Sequence, residues 1–73
     1  MKIVKIQTGN YDVFVNDIKK YEIINVKDYH PVQGKINIWN VKFENTHPVY
    51  DLFETKYSFK NAKEFINQLE ENA

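Results

Sequence analysis

Two histidines, His30 and His47, are the residues of this chain best suited by type to chemistry near neutral pH, where an imidazole can exchange a proton or hold a metal. Asp28 and Asp51 lie close to them in sequence and would complete an acid–base or metal site if the two turns met. The spacing argues against such a site. Neither histidine belongs to a His-x-x-x-His pair or to another recognised ligand spacing. Each directly precedes a proline, Pro31 or Pro48, and the residue before proline is forced toward extended backbone, so turn formation is sufficient to explain both. The chain has no cysteine, which removes thiolate ligands and disulfides. Ser58 sits in no nucleophile elbow, and no glycine-rich phosphate loop is present. The residues therefore predict a protein that is not an enzyme and carries no cofactor or metal.

Binding chemistry is better supplied. Five Phe, five Tyr and one Trp stand beside ten Lys, with no Arg. Tyr29 and His30 stand next to a rigid proline, Pro31, in a short loop, and tyrosine often carries interface energy. Together with His47, Lys19, Lys20 and Phe14 they form the candidate interaction surface. The predicted partner is another protein, with the chain acting as a modulator or inhibitor, and an edge strand or open sheet face would also permit a homodimer. The alternative is a weak binder of single-stranded nucleic acid. There Tyr11, Tyr21, Tyr29 or Trp39 would stack on bases, and Lys2, Lys5, Lys19, Lys20, Lys27 and Lys35 would meet phosphates. Two facts weigh against it: arginine, the bidentate phosphate ligand, is missing, and ten acids balance the ten lysines. The charge is unevenly spread, since residues 1–42 carry a net +3 and residues 43–73 a net −3. Chance and solubility account for such a split.

These side chains need a scaffold, and 73 residues allow one small core and one domain. A cysteine-free domain of this size must bury its bulky aromatics or find a partner subunit. No apolar run approaches the roughly 20 residues of a membrane span, and residues 1–10 lack the apolar segment of a signal peptide. A cytoplasmic protein is expected, with no membrane partner. The abundance of Lys, Asn and Ile, whose codons are AT-rich, points to a low-GC bacterium or its phage.

The chain divides at Ser58. Before it, Thr8-Gly9-Asn10-Tyr11 predicts a tight hairpin with Gly9-Asn10 at the turn. That register pairs Gln7 with Asp12, Ile6 with Val13, Lys5 with Phe14 and Val4 with Val15. It sends Val4, Ile6, Val13 and Val15 inward and leaves Phe14 as an apolar exception on the polar face. Asn16 to Lys20 reads as a turn, Tyr21 to Lys27 as a central strand with apolar groups on both faces, and Asp28 to Gly34 as a loop. In Lys35 to Glu44, Ile36 and Ile38 share one parity and Trp39, Val41 and Phe43 the other, which predicts a bulge or bend near Ile38. A further turn over Asn45 to Pro48 and a last strand over Val49 to Tyr57 follow, with adjacent Leu52 and Phe53 leaving the inward set open. The tripeptide echo Asn-Val-Lys and His-Pro-Val, at residues 25–32 and again at 40–49, is short enough to be coincidence.

After Ser58, a plausible N-cap, Phe59, Ala62, Phe65, Ile66 and Leu69 fall within an arc of roughly 120° of a helix, and every charged residue lies outside it. Glu70 and Glu71 oppose the helix dipole, so the last turn is expected to fray. The sequence thus predicts an α+β fold of about five antiparallel strands over residues 2–57, in a strongly bent sheet or small open barrel, followed by one amphipathic helix over 59–71.

Overall fold

The computed structural model describes residues 1–44 and 53–72. Along them run strands β1 (Lys2–Gln7), β2 (Asn10–Val15), β3 (Ile18–His30), β4 (Gly34–Phe43) and β5 (Phe53–Lys56), then helix α1 (Phe59–Glu71). The strands form one antiparallel sheet in the order β1-β2-β3-β4-β5. The architecture is α+β as the sequence predicts, and the sheet is open, not closed into a barrel. The predicted turn over Asn45 to Pro48 and residues 49–52 of the predicted last strand lie outside the described residues.

The helix follows the sequence closely. Ser58 caps it, its hydroxyl accepting from the Asn61 N–H at 3.0 Å, which satisfies one of the first-turn amides that have no partner within the helix. Ala62, Phe65 and Ile66 are buried against the sheet, with Phe59 and Leu69 packed at the margins of the same core. Ser58→Ala should therefore cost about 0.5–2 kcal/mol, read as a lower thermal melting midpoint with unchanged far-UV dichroism at low temperature. The predicted fraying considered the dipole alone. In the structure Glu70 accepts from the Tyr21 hydroxyl and pairs with Lys20 at 3.3 Å, which ties the last turn to β3.

The first hairpin departs from its predicted register. Thr8 and Gly9 occupy the turn, with Gly9 at φ +77°, and Gln7 pairs with Asn10. The turn thus falls one residue earlier than predicted. A bulge between Lys5 and Gln7 then shifts the pairing again, so that Lys5 opposes Tyr11, Ile3 opposes Val13 and Lys2 opposes Phe14. The combined offset is odd, and an odd slip exchanges the two faces of a strand. Val13 is buried and Val15 packs on the core as predicted, but Ile3 joins them in place of Val4 and Ile6. Val4 and Ile6 instead share the outer face with Phe14, so Phe14 is no longer an exception. No second layer covers it among the described residues. Gly9 is required at its position: its φ is strained for other residues, and an added Cβ would lie 3.3 Å from the Asn25 Cβ.

The second hairpin is tighter than predicted. Its turn is only Asn16-Asp17, both at positive φ, as a two-residue hairpin with strand-compatible twist requires. β3 therefore begins at Ile18 and runs on through the predicted loop to His30. It is the central strand, with Tyr21 and Ile23 buried on one face and Ile24 half-buried on the other. Its register with β4 is unbroken from Tyr21↔Phe43 to His30↔Gly34. The bulge predicted near Ile38 is absent there. Both parities of β4 are used instead, with Val41 and Phe43 buried and Trp39 partly buried on the helix face, and Ile36 and Ile38 half-buried on the other.

The core lies between the sheet and α1. Val13, Tyr21, Ile23, Val41, Phe43, Ala62, Phe65 and Ile66 are buried. Aromatic rings supply much of it. Tyr21, Phe43 and Phe65 stack in sequence with edge-on geometry, at centroid distances of 5.7 and 6.3 Å. Phe59 closes the other end against Tyr11 at 4.8 Å and Trp39 at 5.2 Å. The geometry suits the ring quadrupole, which favours tilted over face-to-face contact.

Candidate interaction surface

The unbroken register of β3 and β4 has a direct spatial result. The last β2 pairing on β3 is Asn10↔Ile24, and the last β5 pairing on β4 is Trp39↔Lys56. Beyond them, five further pairs, from Val26↔Ile38 to His30↔Gly34, form a two-stranded arm with no described strand on either side. At about 3.4 Å per residue its paired part is roughly 17 Å long. Strand alternation sorts its side chains into two faces. Val26, Asp28 and His30 share one with Ile36 and Ile38; Lys27 and Tyr29 share the other with Lys35 and Asn37.

At the arm's tip, His30 is structural. Its Nδ1 accepts from the Val32 and Gln33 N–H groups at 3.1 and 3.2 Å, which places the imidazole proton of the neutral ring on Nε2. The Asp28 carboxylate accepts from the Tyr29 N–H at 2.8 Å. These local bonds shape the turn and leave its apolar side chains outside. Tyr29 is 70% and Val32 88% exposed. Tyr29 thus stands at the surface, and so does Val32 beside it, which gives no signal in the sequence because a single valine in a loop has no periodicity. His47 and Asp51 lie outside the described residues. Among those described, no group of three or more acidic or histidine side chains could hold a metal.

Lys19, Lys20 and Phe14 lie elsewhere. Lys19 projects on the outer face among Glu22 at 2.6 Å, Asp12 at 3.4 Å and Glu44 at 3.4 Å. The hydrogen bond to Glu22 is the largest cause raising its pKa well above the usual lysine range, and the same bond holds the Glu22 carboxyl below the usual carboxylate range. Lys20 is the extra residue of a bulge between Val13 and Phe14, which sets it on the helix side with Tyr21, where it meets Glu70, and leaves Lys19 on the outer face opposite Phe14. Hydrogen bonding from Tyr21 is the main cause holding the Glu70 carboxyl low, while burial and then Glu70 push the Tyr21 phenol up. Both lysines are thus engaged within the chain. Phe14 lines a shallow outer-face concavity of about 310 Å³ with Lys2, Val4, Ile6, Asp12 and Asp17. Of the four aromatics that could stack on bases, Tyr11, Tyr21 and Trp39 belong to or pack on the core, and only Tyr29 stands exposed.

A larger concavity, of about 540 Å³, runs beside the free edge of β4 and is lined by His30, Gln33, Ile36, Asn37 and Tyr57. Tyr57 is 70% exposed at its far end. No family model, curated protein or solved structure matches this chain. Among the described residues, no helix is long and apolar enough to cross a membrane.

Proposed function

We propose that this chain is a non-enzymatic binding protein that docks on a partner protein through the tip of the β3–β4 arm, as a modulator or inhibitor of that partner. The observation carrying this reading is the exposure of Tyr29 and Val32 at the end of a ribbon that stands clear of every other described strand. A two-stranded ribbon is marginal in water by itself, and an exposed aromatic beside an apolar side chain at its tip suits an anchor that a partner's pocket buries. The cysteine-free composition fits a reducing cytoplasm.

A second reading rests on the arm's other face, where Lys27, Tyr29 and Lys35 sit together and could receive a nucleic-acid strand. One experiment separates the two. Immobilised protein is exposed to host extract and, separately, to a single-stranded oligonucleotide over a salt series. A protein retained stoichiometrically, and lost when Tyr29→Ser and Val32→Ser are combined in a variant of unchanged melting temperature, supports docking. Retention unaffected by that variant overturns it. So does oligonucleotide binding that weakens with salt and vanishes with Lys27→Glu and Lys35→Glu, if no protein is retained.

A further inference from the structure

The free edge of β4 has a geometry that selects its own occupant. In antiparallel sheets the N–H and C=O of one residue point to the same side of the strand, and successive residues alternate. The Glu44 N–H donates to the Lys20 carbonyl, and the Ile38 carbonyl accepts from the Asn25 side chain. Even-numbered residues of β4 therefore turn their backbone groups toward β3, and odd-numbered ones turn theirs to the opposite side. At Trp39 and Val41 that side is covered by β5. At Lys35 and Asn37 no described strand lies beside it, and both side chains are exposed.

Two of the other edges are less receptive. On the β3 side of the arm, the Tyr29 N–H is already engaged by Asp28. The outer edge of β1 carries Lys2 and Lys5 and is broken by its bulge, devices that discourage strand addition.

We infer that a second copy of this chain adds to the β4 edge, pairing residues 34–38 of the two copies antiparallel about a two-fold axis at Ile36. The axis stands normal to the sheet, so each residue must meet one of the same face and the registers are few. Centring on Lys35 would set two lysines opposite each other. Centring on Asn37 would bring Lys35 against Trp39, whose outer side β5 occupies. Centring on Ile36 sets Lys35 opposite the partner's Asn37 twice over, so that the four outward N–H and C=O pairs are satisfied and no like charges meet. It also lays Ile36 against its copy, a β-branched contact on the outer face. At Gly34, with φ +81°, each chain turns toward its own β3 and so leaves the edge before it reaches the other copy's β5. The concavity beside Ile36 and Asn37 is the space the added strand fills, and the exposed Tyr57 side chain, which lines it too, must turn aside to admit that strand. A contact this short is a weak one, so dimerisation is reversible and depends on concentration. The edge adjoins the arm's tip, His30 and Gln33 lining the same concavity, but the pairing is made by the backbone of residues 34–38 and does not depend on the identity of any partner docked at Tyr29 and Val32.

Sedimentation equilibrium from micromolar to millimolar concentration tests it. Asn37→Glu places an acid opposite Lys35 at both ends and should lower the dimer dissociation constant roughly tenfold, an effect that salt reduces. Asn37→Lys should raise it. Neither change touches a backbone bond to β3. As a geometric check, Ile36→Cys introduces the chain's first thiol at a pair whose Cα atoms would lie about 4.5 Å apart, within disulfide reach. Mild oxidation should cross-link it into a dimer, whereas Val26→Cys, on the far strand, should not. A wild-type monomer throughout the range, a dimer indifferent to both Asn37 changes, or equal cross-linking at the two cysteine positions would each overturn the pairing.

Discussion

Ile23→Ala is expected to cost about 2–5 kcal/mol of folding stability, measured by urea denaturation of the purified protein. Ile23 is fully buried on the central strand, between the register partners Tyr11 and Val41. Truncation removes its transfer free energy and leaves a cavity that flanking strands, fixed by their own hydrogen bonds, cannot close. At a typical 0.05–0.15 kcal/mol per residue a chain of this length has roughly 4–11 kcal/mol in total. The loss is therefore a large share, and the variant should be partly unfolded at physiological temperature. Ile24→Ala, one residue along on the half-buried outer face, should cost much less. Equal losses at the two positions would contradict the assignment of faces.

The second large effect concerns the end of α1. Glu70→Ala should cost about 1–3 kcal/mol at neutral pH, because it strands the hydroxyl of Tyr21, a residue only 6% exposed, and frees Lys20. The same carboxylate makes stability depend on acid. Its pKa is lower folded than unfolded, so its stabilisation is complete above the unfolded glutamate value, near ~4.3, and disappears as pH falls through the lower folded value. Thermal melts across acid pH should show a falling midpoint in the wild type and a shallower fall in Glu70→Gln. Some slope should remain, because Glu22 is held low by Lys19 in the same way. Identical slopes in the two proteins would show that Glu70 is not coupled to folding.

What could be read from sequence differs by element for physical reasons. In α1 the cap and the apolar arc are local, since they depend on residues within a few positions of one another; Ser58, Ala62, Phe65 and Ile66 behave as their spacing dictates, whereas the last turn is held by Tyr21 and Lys20 from β3. The first hairpin is different. Gly9 marks a turn correctly, but whether it is the first or second turn residue, and whether Ile6 bulges, are settled by which face of β1 finds the core. Both faces of β1 are apolar, Ile3 on one and Val4 with Ile6 on the other, so periodicity could not decide. The same ambiguity in β4 suggested a bulge where the strand simply uses both faces. The roles of Lys19 and Lys20 depend on Glu44 and Glu70, which approach only through tertiary folding, and on the bulge at Lys20, which reverses the faces that plain strand alternation would give the two lysines. Within the arm, Asp28 to Gly34 reads as a loop because Pro31 and Gly34 are turn residues; they serve a three-residue tip, and β3 and β4 continue to either side of it.

The strand order has a kinetic meaning as well. Each strand of the sheet pairs with its neighbours along the chain, so most contacts close short loops, and loop-closure entropy grows with the length of chain enclosed. The contact from Glu70 to Tyr21 spans 49 residues and closes a much longer one. Low contact order favours rapid folding. The hairpins can form from neighbouring segments before the helix returns to the sheet.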